Sequence, residues 1–348
     1  MYAEIMSIVT YLIIAGVVVF ASMKLSDYVD LLDKKTNLSG ALLGGILLAA
    51  VTSLPELFTS LSSTLFIHKN SYVVGNILGS NVFNMCLFLV PYTFFFAKLA
   101  TSKVNKSHLF SMLFIGLLYI SVTVAGFVFN FNHILWGWFN PISILIVAIY
   151  ALSILKTPKI EEGEDNEEDT SKLTVKQIAV LFTLFAVLLI AMSVGITYHT
   201  NWIVNTFGFG ETFGGALFLG VATSLPELTS TINLCKKKNF DAAYGNILGS
   251  CVFNFVILSL ADLLSFNCPV PLYQMDQSAF LLIITGVFSM LVFLPTLLLS
   301  FKGKVKNNVK FRILFLCSAI LIVGSYLTFL VLSNINLGIE FAPFRVGE

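Results

Sequence analysis

The chain has 348 residues, 57% of them hydrophobic and 11% charged, with a formal net charge of +1. A soluble domain carries roughly a quarter charged residues, so a water-facing globule is excluded, and a mean hydropathy of +0.90 points to lipid as the natural solvent. The near-zero net charge gives no sign of a nucleic-acid partner, and nothing marks an obligate protein partner.

A hydrocarbon core of ~30 Å needs about 20 apolar residues per helix. In chain order, the apolar runs predict ten spans at approximately 4–23, 39–66, 72–97, 108–130, 133–155, 177–199, 210–234, 242–264, 278–300 and 311–333. The first is too long for a signal-peptide core and lacks a clear cleavage site, so it reads as a retained span. The runs are continuous rather than alternating, which argues against a β-barrel. The fold class expected is an all-α membrane protein with ten transmembrane helices.

Lysine placement agrees with that division. Loops 1–2, 3–4, 5–6, 7–8 and 9–10 hold Lys24, Lys34 and Lys35; Lys98, Lys103 and Lys106; Lys156, Lys159, Lys172 and Lys176; Lys236 to Lys238; and Lys302, Lys304, Lys306 and Lys310. The opposite loops hold only Lys69. By the positive-inside rule the lysine-rich side is cytoplasmic and both termini face outward. Between spans 5 and 6, Glu161, Glu162, Glu164, Asp165, Glu167, Glu168 and Asp169 form an acidic run that reads as a solvated linker. The five cysteines (Cys86, Cys235, Cys251, Cys268 and Cys317) lie in or beside apolar runs, with no disulfide or metal-knuckle spacing.

An internal repeat is visible by eye. Thr52-Ser53-Leu54-Pro55-Glu56-Leu57, Gly75-Asn76-Ile77-Leu78-Gly79-Ser80 and Val82-Phe83-Asn84 recur as Thr223-Ser224-Leu225-Pro226-Glu227-Leu228, Gly245-Asn246-Ile247-Leu248-Gly249-Ser250 and Val252-Phe253-Asn254. The offset is 171 in the first block and 170 in the other two. Equivalent blocks lie five spans apart, and five is odd, so the second copy is expected to cross the membrane in the opposite sense. This divides the chain into a first five-helix repeat at 1–155 (motif block 44–90), an acidic linker at 156–176, and a second repeat at 177–348 (motif block 214–260).

Of the nineteen acids, only Glu56 and Glu227 fall deep within predicted spans, and no Lys or Arg does. An ionised carboxylate in hydrocarbon costs a few kcal/mol or more, so each needs a cation, a proton, or both in turn. Pro55 and Pro226 lack an N–H and clash with the carbonyl four residues back, at Val51 and Ala222. Freed carbonyls, the hydroxyls of Thr52, Ser53, Thr223 and Ser224, and a carboxylate thus meet at each break, which is tolerable where it lines a cavity. Hard oxygen donors suit Ca²⁺, Mg²⁺ and Na⁺ rather than soft transition metals. Ser80 and Asn84, like Ser250 and Asn254, are four apart on one helical face, and the Gly-x-x-x-Gly spacings before them allow close helix approach.

These duplicated blocks resemble the paired repeats of the cation/Ca²⁺ exchanger superfamily, and most of all its prokaryotic Na⁺/Ca²⁺ exchanger branch. The resemblance implies a midplane cluster with one divalent site flanked by sodium sites. Glu56 and Glu227 would be its shared central ligands. Thr52, Ser53, Thr223, Ser224, Ser80 and Ser250 would add hydroxyl or carbonyl oxygens, Asn84 and Asn254 would complete the girdle, and the carbonyls of Ala49 and Gly220 would serve outer sodium sites. Spans 1 and 6 would slide across the rest. It also implies the cell membrane of a prokaryote. Three departures stand out: Val51 and Ala222 replace a glycine frequent before the Thr, Cys251 stands opposite Asn81, and Asn254 replaces the acid of potassium-dependent relatives. The Gly-Asn-Ala-x-Glu pattern of the proton-coupled branch is absent.

The expectation is therefore Na⁺/Ca²⁺ antiport, with Ca²⁺ and Na⁺ bound as transported ions and no cofactor. Proton-coupled divalent antiport is the alternative, since protons also neutralise a buried carboxylate. A cation channel would use similar oxygens, but an inverted repeat argues against it. An enzyme is not expected: His68, His108, His133 and His199 sit at span ends, and no nucleophile–base pair or nucleotide-binding motif accompanies the glutamates.

Overall fold

A computed structural model describes residues 2–36, 50–102, 104–127, 140–156, 173–301, 309–335 and 337. Ala49, His133 and the acidic run of the linker lie outside the described residues. Among those described, every regular element is helical: α1 (Tyr2–Thr36), α2 (Leu54–Ser62) followed by a π-helical stretch at Ser63–Ile67, α3 (Asn70–Cys86), α4 (Leu89–Thr93), α5 (Phe96–Leu99), α6 (Ser107–Phe127) and α7 (Ile142–Lys156). The later residues form α8 (Val175–Phe207), α9 (Glu211–Gly214), a second π-helical stretch at Gly215–Gly220, α10 (Val221–Thr223), α11 (Leu225–Lys236), α12 (Phe240–Leu263), α13 (Gln277–Phe301) and α14 (Val309–Leu332).

Among the described residues, seven helices are long and apolar enough to cross a membrane, and Ile142–Ile154 is a shorter apolar helix. Two helices outrun their predicted spans. The first span ends near residue 23 by hydropathy, yet α1 continues to Thr36 and carries Lys24 inside it, paired with Asp27 at 2.9 Å. Its 35 residues reach about 52 Å, well beyond a ~30 Å hydrocarbon core, so the polar end continues as helix past the apolar stretch. The sixth starts at a capping box, in which Thr174 accepts from Gln177 N, and runs to Phe207, where Gly208 at φ 70° ends it. The third is not one uninterrupted helix: α3 gives way to short turns after Cys86, and Phe94–Phe95 separates α4 from α5.

Burial separates a centre from a periphery. The apolar windows containing α3 and α12 are 83% and 72% buried, against 28% for α1 and 17% for α8. Helices α1 and α8 pack on each other through Val18, Ala21, Leu25 and Leu189, with Val51 beneath them. Leu12 and Leu184 on their outward faces are exposed, as lipid-facing side chains would be. In the interior, Phe88, Tyr244 and Phe293 interlock, and Tyr92 stacks edge-on against Phe315.

Glycine governs the tightest contact. A Cβ on Gly75 would run into the Thr212 carbonyl, and one on Gly79 would lie 2.6 Å from Ala216 Cα. From the other side, a Cβ on Gly215 would meet Tyr72 O at 2.5 Å, and one on Gly220 would meet Ser80 N at 3.0 Å. The backbones of α3 and 212–220 are therefore in contact, which brings Ser80 against the second copy of the motif.

Candidate functional site

Both motif helices break at the same place. Ser53 has φ −88° and ψ 10°, and Ser224 has φ −89° and ψ 3°, each interrupting the helix one residue before the Leu-Pro-Glu run. Pro55 and Pro226 then occupy the first turn of the resumed helix, where a missing N–H costs nothing. Helical bonding restarts with Leu57 N to Ser53 O at 3.1 Å and Leu228 N to Ser224 O at 3.2 Å. Glu56 and Glu227 thereby fall in the first turns of α2 and α11, where the helix dipole favours a carboxylate.

The two breaks face each other. Glu56 Oε1 accepts from Ser224 Oγ at 3.1 Å and from Ser80 Oγ at 3.5 Å. Glu227 Oε1 accepts from Ser53 Oγ and from Ser250 Oγ, both at 3.3 Å. Each glutamate is thus held by the motif serine of the other copy and by the helix serine of its own. The threonines follow the same rule: Thr223 Oγ1 lies 3.4 Å from Ser80 Oγ, and Thr52 Oγ1 lies 3.4 Å from Ser250 Oγ. Ser80 Oγ also donates to the carbonyl of Gly220 at 3.2 Å, which aims that carbonyl at the cluster.

Both carboxylates are fully buried, yet Oε2 of Glu56 and Oε2 of Glu227 have no hydrogen-bond partner. Asn84 Oδ1 and Asn254 Oδ1 are likewise buried and unpartnered. Lys24–Asp27, Lys69–Glu211 and His108–Asp241 form ion pairs, and none of these involves either glutamate. Two carboxylates, six hydroxyls and a carbonyl, with no base paired to them among the described residues, make a hard-oxygen cluster suited to small cations.

The family model described as sodium/calcium exchanger protein matches residues 6–156 and 177–335. The chain belongs to the sodium/calcium exchanger family. This exchanger is 28% identical over 294 residues to inner membrane protein YrbG of Escherichia coli (strain K12), covering 80% of this chain and 87% of that protein. It is 24% identical over 307 residues to sodium/calcium exchanger MaX1 of Methanosarcina acetivorans, covering 73% and 83%. Its fold resembles that of the H⁺/Ca²⁺ exchanger CAX, with a TM-score of 0.65 at 16% identity over 94% of this chain and 90% of that one. It also resembles the sodium-calcium exchanger NCX_Mj, with a TM-score of 0.54 at 18% identity over 92% and 99%. It is accordingly an integral membrane transporter.

Thr52, Ser53, Glu56, Ser80, Gly220, Thr223, Ser224, Glu227 and Ser250 lie in one hydrogen-bonded cluster. Asn84 and Asn254 point unpartnered oxygens from the same two helices, though Asn254 Nδ2 is engaged by Asn81 Oδ1 at 2.9 Å. In the sequence Asn81 stands out only as a mismatch with Cys251; the structure stacks the two against each other, Cys251 Sγ lying 3.8 Å from Asn81 O. Asn76 has no role in the sequence reading, yet it cross-links α3 to α2 through Thr59 and Ser60. Its repetition as Asn246 was the available signal. Asp262, placed at a span end, is also buried; it accepts from Asn140 N at 2.9 Å and Ser143 Oγ at 2.7 Å, tying the start of α7 to the end of α12.

Proposed function

We propose that this exchanger moves Ca²⁺ against Na⁺ by alternating access, binding them in turn on Glu56 and Glu227. One observation supports this: two fully buried carboxylates, each keeping an unpartnered oxygen, are held by hydroxyls and, among the described residues, have no basic partner. Two carboxylates supply about −2, which one Ca²⁺ or two Na⁺ neutralise, so occupancy by either excludes the other. An empty pair of buried charges resists crossing, and that enforces exchange rather than leak. Thr52, Ser53, Ser80, Thr223, Ser224 and Ser250, the carboxamide oxygens of Asn84 and Asn254, and the carbonyls of Ala49 and Gly220 form the rest of the ligand set.

The membrane arrangement belongs to the same proposal. Ten spans form two inverted five-helix halves, 1–155 and 177–348, joined by the linker at 156–176. The reciprocal bonding at the site supports it, as do the two stretches matched by the family model and the lysine alternation. Both termini face outward from the cell membrane of a prokaryote. The loosely buried pair α1 and α8 slides over the helices gathered around the deeply buried α3 and α12.

Proton-coupled Ca²⁺ antiport is the second reading, favoured by the fold shared with CAX. Reconstituted vesicles given one gradient at a time separate the two: Ca²⁺ uptake should follow a Na⁺ gradient and not a pH gradient. Ca²⁺ uptake driven only by pH would replace sodium with protons as the counter-ion.

A further inference from the structure

Away from the carboxylates, the two copies of the motif differ. In the first, Asn76 Nδ2 donates to Thr59 Oγ1 and Ser60 Oγ, both at 2.9 Å, and to the Glu56 carbonyl at 3.3 Å. Thr223 Oγ1 reaches Asn76 Oδ1 at 3.4 Å, so this amide is engaged at both ends. The corresponding residues of the second copy are Asn246, Ser230, Thr231, Glu227 and Thr52. There the matching bonds to Asn246 are absent: its Oδ1 and Nδ2, and Thr231 Oγ1, are buried with no partner. Asn246 is 1% exposed and Thr231 0%, so surface water does not satisfy them.

In each copy the cluster follows its glutamate and flanks the next turn. Thr59 and Ser60 precede the turn at His68, and Asn76 follows it, beside Lys69. Ser230 and Thr231 precede the turn at Lys238, and Asn246 follows it. In the inverted arrangement proposed above, the two turns fall on opposite faces of the membrane, the second on the lysine-rich side. A helix pair whose buried polar groups bond one another leaves no room for a hydrated ion. A pair whose carboxamide and hydroxyl have no protein partner offers the two to four polar contacts that water or a partly hydrated cation needs.

We propose that Asn76 and Asn246 are paired gate residues. The Asn76–Thr59–Ser60 interlock closes the Lys69 side, while Asn246 and Thr231 stand buried but unlocked on the lysine-rich side. Turnover exchanges the two arrangements: Asn246 locks onto Ser230 and Thr231, and Asn76 releases. This rests on the reading of Glu56 and Glu227 as the transported-ion site, and it adds the residues that decide which face that site serves.

A state's apparent affinity falls with the fraction of protein in that state, so the two asparagines make opposite predictions. Vesicle orientation is fixed by labelling Lys236 to Lys238 with a membrane-impermeant amine reagent, and the KM for Ca²⁺ is measured at each face. Asn76→Ala loosens the closed Lys69 side; KM should fall there and rise at the lysine-rich face, by roughly threefold or more. Asn246→Ala should do the reverse. Ser60→Ala and Thr231→Val, each removing a single hydroxyl, should show the same split if an alanine at asparagine impairs folding. Any other pattern, including equal shifts or none, overturns the gate assignment. Glu56→Gln and Glu227→Gln serve as the control on the underlying reading: transport surviving in both would refute the site itself, whatever the asparagine variants do.

Discussion

Ser224 Oγ donates to Glu56 Oε1 at 3.1 Å, although the two residues come from different copies of the motif, 168 positions apart. Its counterpart, Ser53 to Glu227 at 3.3 Å, closes the ring from the other side. Neither copy completes the cluster alone. Each contributes a carboxylate that the other's helix break supplies with a hydroxyl, so any movement of one half against the other re-forms the ligand shell of both glutamates.

Ser53→Ala and Ser224→Ala each remove one such cross-copy donor. A hydrogen bond to a charged group contributes about 1.5–3 kcal/mol, so each variant should raise the KM for Ca²⁺ about tenfold or more, with the protein still folded. An unchanged KM in gradient-driven ⁴⁵Ca²⁺ flux would remove the serines from the site.

Gly75→Ala should lower thermal stability in detergent, because its Cβ has only the Thr212 carbonyl and the Ala216 backbone to displace. Overpacking of this kind costs about 1–3 kcal/mol. Gly16→Ala and Gly324→Ala, where a Cβ meets nothing within 4 Å, should leave the unfolding midpoint in place or raise it slightly. Equal midpoints for all three would contradict the close approach of α3 to 212–216.

Asp262→Ala separates folding from transport. It strips the acceptor from Asn140 N and Ser143 Oγ at a buried position, and such a loss costs about 1–3 kcal/mol or more. The unfolding midpoint should fall while the KM for Ca²⁺ stays at the wild-type value. A changed KM with an unchanged midpoint would move Asp262 into the ion path.

Protons should compete with the cargo. Carboxylates bind a metal only when ionised, so at a fixed Na⁺ gradient the KM for Ca²⁺ should rise as pH falls, with the maximal rate held. The slope should approach roughly tenfold per pH unit for each proton displaced. A KM independent of pH between neutral and acid would argue against the carboxylates as ligands.

Much of this was legible in the residues themselves. The duplicated Thr-Ser-Leu-Pro-Glu block marked the breaks, because a proline beside an intramembrane acid frees backbone carbonyls where the acid needs a cation, and Ser53 and Ser224 do share one backbone geometry. The offset change from 171 to 170 was visible but had no cause in the sequence. The structure accounts for it: the π-helical stretch Ser63–Ile67 in the first copy stands where α11 continues as α-helix, and a π-bulge is how a helix absorbs one extra residue. Both copies then end on a left-handed residue, His68 at φ 57° and Lys238 at φ 63°. Pairing across the copies was not legible. The motif says that Ser53 is near Glu56 along the chain, whereas its hydroxyl serves Glu227, and only the packing of α3 against 212–220 reveals that. The length of α1 was missed because hydropathy reports the apolar stretch and not the helix that carries it past Lys24.

The most direct test is Na⁺-gradient-driven ⁴⁵Ca²⁺ uptake into proteoliposomes of the wild type, Glu56→Gln and Glu227→Gln. Wild-type uptake should collapse with the Na⁺ gradient, and neither variant should take up Ca²⁺ above background. Undiminished exchange in both variants would contradict Glu56 and Glu227 as the ion ligands.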